Sequence, residues 1–123
     1  VNSTNNGGAF NNFGYLAVSK STIEGNTGLY GGGIFNLGTL VISGSTLSGN
    51  NANIGGAIFN SGSAIFLSIS NSTFSNNHAN FGGGIYNDKI LTVINSTFSG
   101  NSASGQGGGG IRNNVTLNIA NTI

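Results

Sequence analysis

Few side chains in this sequence can do chemistry. Its 123 residues include two carboxylates, Glu24 and Asp88, three cations, Lys20, Lys89 and Arg112, and one imidazole, His78. Enzymes that cut polysaccharides use clustered carboxylates, or carboxylates with Lys or Arg, in a groove. Here the single Glu and the single Asp fall in distant parts of the chain. Asp88 and Lys89 are adjacent, so in an extended segment they point to opposite sides. Arg112 comes about one repeat after Asp88, and a surface ion pair is the expectation for those two. His78 is alone, whereas a protein metal site gathers three or four ligands. The glycine run "GQGGGG" at 105–110 lacks both the Lys and the strand–loop–helix setting of a phosphate-binding loop. The repeated Asp of calcium-binding β-rolls is also absent. The residues therefore argue against an enzyme, a cofactor and a metal.

Composition narrows the partners. A net charge of +1 gives no electrostatic case for nucleic acid or an anionic membrane. It also leaves little repulsion to prevent self-association. No apolar run approaches the roughly 18 residues of a membrane span, so this segment does not insert. With no Cys there is no disulfide framework and no thiolate metal site. Neither a signal peptide nor an initiating Met is present, so the segment reads as processed or as a piece of something longer.

What positions the remaining residues is a repeat. The phrase "GGGIYN" from Gly82 returns as "GGGIFN" from Gly31, "GGAIFN" from Gly55, "GGGIRN" from Gly108 and "GGAFNN" from Gly7. The residues after the glycines, Phe10, Ile34, Ile58, Ile85 and Ile111, are spaced by 24, 24, 27 and 26. A second column, Thr22, Thr46, Thr73, Thr97 and Thr122, is spaced by 24, 27, 24 and 25. On this alignment one coil gains residues within 61–70, another within 102–107, and the last coil loses one. Between these columns the pattern has period two: Leu16 and Val18, Leu40 and Ile42, Leu67 and Ile69, Leu91 and Val93, then Leu117 and Ile119. Alternation punctuated by Gly and Asn reads as short strands, and a fixed phrase with variable insertions reads as a solenoid. The expectation is an all-β, right-handed parallel β-helix of about five coils of 24–27 residues, with three strand-like segments per coil and 1–123 as one solenoid segment. One coil offers too few inward apolar groups to offset its ordering entropy, so coils need neighbours.

Column logic assigns roles. Paired glycines mark a tight bend or a close approach of backbones. The column Asn11, Phe35, Phe59, Tyr86 and Arg112 should point outward, and Phe35, Phe59 and Tyr86 are a candidate contact stripe for glycans or a lateral neighbour. Two Asn columns recur in all five coils: Asn12, Asn36, Asn60, Asn87 and Asn113, and Asn2, Asn26, Asn50, Asn77 and Asn101. Asn tolerates left-handed turns and its stacked amides can bond along the axis, so both columns are read as structural ladders.

"GGAI" from Gly55, with "FSNN" from Phe74 and "FSGN" from Phe98, resembles the GGAI and FxxN motifs of the polymorphic outer-membrane protein repeat. "GNSA"-type turns after "NSTFS" strengthen the likeness, which covers the whole chain. Gly replaces Ala in three of the glycine phrases, and Ile23 and Leu47 replace the Phe. The resemblance implies a right-handed parallel β-helix, an extracellular or cell-surface setting, and a role as exposed passenger in adhesion.

Three surface readings follow. Sequons at Asn2, Asn71, Asn95 and Asn114 are candidate N-glycosylation acceptors, with Asn71 and Asn95 in one column. The outward Thr column raises ice binding, but the neighbouring column is taken as Lys20, Gly44, Asn71 and Asn95, which breaks the uniformity of the face. Finally, both termini fall in the same part of a coil with no polar cap. Open strand edges then suggest either a window of a longer array or end-to-end self-association into a rod or filament. The leading function is a non-catalytic extracellular rod; the alternative is a glycan-binding adhesin fragment, with ice binding and polysaccharide cleavage behind.

Overall fold

Period-two alternation produces short strands, and each strand pairs with its counterpart one repeat away. The computed structural model describes residues 6–105 and 107–123. No helix occurs among them, and every strand pairing is parallel. The chain is a parallel β-solenoid of about five turns.

Each turn contributes strands to four faces. The first face holds Phe10–Asn12, Ile34–Asn36, Ile58–Asn60, Ile85–Asn87 and Ile111–Asn113. The second holds Tyr15–Ser19, Thr39–Ser43, Phe66–Ser70, Ile90–Ile94 and Thr116–Ala120. The third holds Thr22–Glu24, Thr46–Ser48, Thr73–Ser75 and Thr97–Ser99. The fourth holds Thr27–Tyr30, Asn51–Ile54, His78–Phe81 and Ser102–Ala103. The expected three segments per turn are therefore four. The fourth face hides from apolar periodicity because the residues at its inward position are small: Gly28, Ala52, Ala79 and Ala103 stack in register.

The core is a set of vertical columns. Ile34, Ile58 and Ile85 line the first face, Leu40, Leu67 and Leu91 with Ile42, Ile69 and Val93 line the second, and Leu47 and Phe74 line the third; all are fully buried. The Phe74 and Phe98 rings stack at 4.8 Å and 5°. Each such side chain contributes about 1.5–3 kcal/mol, mostly through contacts with other turns. In the last described turn Leu117 is only partly buried and Ile119 is 53% exposed, because no turn covers them on the far side.

Register is kept across the insertions. Phe66 pairs with Thr39, so residues 61–65 loop out before the second face resumes. That loop closes on itself through the Ala64 N–H to the Ser61 carbonyl at 2.9 Å, and Ala64 is buried beneath it. The last turn, however, has lost nothing. Ile90 pairs with Thr116 and the Ser96 N–H donates to Thr122 Oγ1, so Thr122 continues the column of Ser96 rather than that of Thr97. Ile123 takes the Thr97 place, between Ser96 and Phe98 in the hydrogen-bond ladder.

Candidate functional site

The glycine phrase performs two separate tasks at the corner between the fourth and first faces. Its first glycine turns the chain: Gly31, Gly55 and Gly82 have φ of 72°, 69° and 64°, a region costly for other residues. Its second glycine lets turns touch: a Cβ on Gly56 would lie 2.0 Å from the Gly83 carbonyl oxygen, and one on Gly32 2.3 Å from that of Gly56. At the third position Ala57 sits fully buried, whereas a Cβ on Gly84 would lie 2.4 Å from the Gly110 carbonyl oxygen.

Inside the corner after the first face runs a chain of amides. Asn12 Nδ2 donates to Asn36 Oδ1 at 2.9 Å, Asn36 to Asn60 at 2.8 Å, Asn60 to Asn87 at 2.7 Å and Asn87 to Asn113 at 2.7 Å. The same nitrogens bond carbonyls of the second face, such as Thr39 and Thr116. A second chain fills the corner between the third and fourth faces. There Asn26, Asn50 and Asn77 donate to Asn50, Asn77 and Asn101 at 3.2, 3.0 and 2.9 Å. Each acceptor also takes the backbone N–H of the preceding turn, at 3.0 Å. Asn2, the first member assigned to that column, lies outside the described residues. Asn36, Asn60, Asn77 and Asn87 are fully buried, so these bonds satisfy groups that water cannot reach.

The left-handed backbone expected of the ladder asparagines belongs to other residues. Positive φ falls on Lys20, Gly44, Asn71, Asn95 and Asn121, and on Gly25, Gly49, Asn76 and Gly100. These are the corner residues flanking the third face. An Asn used this way is exposed, as Asn71 and Asn95 are.

A third ladder has no counterpart in the sequence reading. The N–H groups of Ser21, Ser45 and Ser72 donate to Oγ of Ser45, Ser72 and Ser96 at 3.1, 3.1 and 3.2 Å. Each of these hydroxyls donates in turn to the carbonyl two residues back, as in Ser45 to Ser43 at 2.8 Å. The column was visible only as one Ser before each Thr, a weak signal in a chain rich in Ser.

The outer surface differs in detail from its expected form. Phe35 is buried, Phe59 and Tyr86 are half-buried, and their rings pack on one another at 5.4 and 5.2 Å. Tyr30 from the fourth face joins them at 5.4 Å from Phe59. The stripe is thus an outer seam whose ring faces are largely engaged by other rings. Arg112 closes it, its guanidinium carbon 5.4 Å from the Phe81 ring and 5.5 Å from that of Tyr86. Asp88 accepts a hydrogen bond from the Asn114 side-chain amide at 2.6 Å. His78 Nδ1 meets Ser102 Oγ at 2.8 Å on the exposed fourth face, where a neighbouring chain links Ser104 to Asn80 and Asn80 to Asn53. Among the described residues no three His, Cys, Asp or Glu side chains gather. On the third face, the column beside Thr22, Thr46, Thr73 and Thr97 is Glu24, Ser48, Ser75 and Ser99, in register. The residues taken as its neighbour, Lys20, Gly44, Asn71 and Asn95, form the left-handed corner instead.

One region is open rather than engaged. Phe13 and Tyr15 are each 71% exposed, and Ile65, Phe66, Ile90 and Val115 are exposed in later turns near the corner between the first and second faces, with Thr39 standing between Tyr15 and Phe66 in the ladder. Exposed apolar side chains gathered at one corner are a candidate contact site.

These features define a repeat protein of the parallel β-solenoid class, with its polar groups spent on holding turns together. Residues 71–88 and 95–116 match the Chlamydia polymorphic membrane protein (Chlamydia_PMP) repeat. The chain is a parallel β-solenoid that carries two segments similar to that repeat. No curated protein and no solved structure matches the chain significantly.

Proposed function

We propose that this chain is a non-catalytic rod displayed at a bacterial cell surface, and that turns stack between copies as they stack within one. The observation that carries the reading is the turn-to-turn interface: parallel in-register strands on four faces, reinforced by three side-chain ladders. Such an interface repeats without limit, because each turn offers the next the groups it received. The surface setting is supported by the matched repeat. Exposed Asn71, Asn95 and Asn114 are its candidate glycan acceptors, and intact-mass analysis distinguishes a glycoprotein from the bare polypeptide. Electron microscopy of the purified chain tests the stacking. Filaments with an axial repeat near five turns are expected, and a population of single short rods alone would sink the idea.

A second reading, an adhesin that holds glycans along the side of the rod, is favoured by the exposed apolar side chains from Phe13 to Val115. Glycan-array binding that disappears in Tyr15→Ala with Phe66→Ala would support it; no binding by the unaltered chain would remove it.

A further inference from the structure

We propose that the third face of the solenoid binds ice, through two outward columns of hydroxyls held at a spacing that crystalline water can continue. Lys20, Gly44, Asn71 and Asn95, which break the uniformity of a Thr face on the sequence alone, belong to the adjoining corner and not to the face.

The face is regular. Thr22, Thr46, Thr73 and Thr97 form one column in register, and Glu24, Ser48, Ser75 and Ser99 form the other. The residue between them in each turn, Ile23, Leu47, Phe74 or Phe98, packs in the core, so both columns point outward. Thr22, Thr97 and Ser99 are exposed, and Thr46, Ser48, Thr73 and Ser75 are half-buried by the turns beside them. Behind the face the Phe74 and Phe98 rings lie 5° from parallel, so their two strands hardly twist against each other. The second face offers no such uniformity: its outward column through Ala17, Val41, Ser68, Thr92 and Asn118 changes type at almost every turn.

Its hydroxyls are also uncommitted. At the neighbouring corner Ser21, Ser45, Ser72 and Ser96 each donate to a carbonyl two residues back. On the fourth face Ser102 meets His78, and Ser104 donates to Asn80. Among the described residues, the side chains of Thr22, Thr46, Ser48, Thr73, Ser75, Thr97 and Ser99 make no hydrogen bond within the chain. Each such hydroxyl can donate one bond and accept two, and water must supply them. Parallel strands sit about 4.8 Å apart, too far for hydroxyls of one column to bond one another. Two O–H···O bonds of about 2.75 Å meeting at a tetrahedral angle span about 4.5 Å, so one water bridges each pair of turns almost without distortion. Repeated along two columns, these bridges fix a row of second neighbours in a tetrahedral network. Ice extends such a row and liquid water does not, and this is the basis of discrimination. The remaining chemistry fits the same occupant. Glu24 is the one ionisable side chain of the face, and both of its aromatic rings, Phe74 and Phe98, face the core, which leaves no ring surface for a sugar.

Growth of single ice crystals in a solution of the whole chain tests this. Asn71 and Asn95 border the face, so the sample is one whose intact mass is that of the bare polypeptide. The chain should facet the crystal and open a gap between its melting and freezing temperatures. Thr73→Lys, a long cation in the middle of the face, should remove both effects with unchanged circular dichroism. Glu24→Ser completes the second column and should widen the gap. Thr92→Lys, the same change on the outward side of the second face, should leave the gap as it was. An unaltered chain that neither shapes ice nor delays its growth overturns the proposal, and so does an equal loss in T73K and T92K. Sedimentation with crystalline cellulose that T73K abolishes, in the absence of any freezing gap, would assign the face to a polysaccharide and overturn it as well.

Discussion

Asparagine does opposite jobs at two corners of this molecule. In the ladders, Asn36, Asn60, Asn77 and Asn87 are fully buried and each amide joins two turns. At the corner before the third face, Asn71 and Asn95 are exposed, have φ near 50° and stand where Lys20 and Gly44 stand in other turns. The first position demands the amide. The second demands only a residue that accepts a left-handed backbone. A repeat column is therefore defined by the backbone and burial it meets, and residue type alone does not reveal which demand applies.

Substitutions should separate the two corners, and a collision that neither Asn makes sets the upper limit. Gly56→Ala drives a Cβ into the Gly83 carbonyl, backbone against backbone, and should cost about 3–5 kcal/mol, read as a lower urea midpoint. Asn60→Leu comes next. It leaves Asn36 Nδ2 and Asn87 Oδ1 without their partner in a buried corner, and should cost about 2–4 kcal/mol in the same assay. Ser72→Ala deletes the acceptor of the Ser45 N–H and should cost about 1–2 kcal/mol. Asn71→Gly should be smallest: neutral, or more stable by up to about 1 kcal/mol, since glycine adopts that backbone freely. If Asn71→Gly proves as damaging as Asn60→Leu, the distinction between the corners fails.

Much of the fold was legible because the Leu and Ile columns of the first three faces alternate cleanly and keep their spacing through two insertions. The fourth face was not, because Gly28, Ala52, Ala79 and Ala103 carry no apolar signal. The same omission hid the surroundings of the aromatic stripe. Phe35, Phe59 and Tyr86 do leave the core, but Tyr30, on the face that went unread, packs on Phe35 and Phe59, and Arg112 lies against both Tyr86 and Phe81. The ladder columns were recognisable from recurrence, whereas their backbone conformation was not, since corner Asn and ladder Asn sit a few residues apart. At the last turn a Thr stood in the serine column, and matching by letter shifted the alignment by one residue; hydroxyl equivalence restores it.

The claim at the centre is that each turn is stabilised chiefly by the turn beside it, so that stability grows as turns are added. Duplicating residues 25–48 in place adds one complete 24-residue turn, the spacing that separates Ile34 from Ile58 in the paired strands. The elongated chain should show the same spectral signature per residue and a urea midpoint above that of the original, because one more interface is buried for one more turn. An elongated chain that unfolds at a lower midpoint, or that loses its strand signature, would contradict the account.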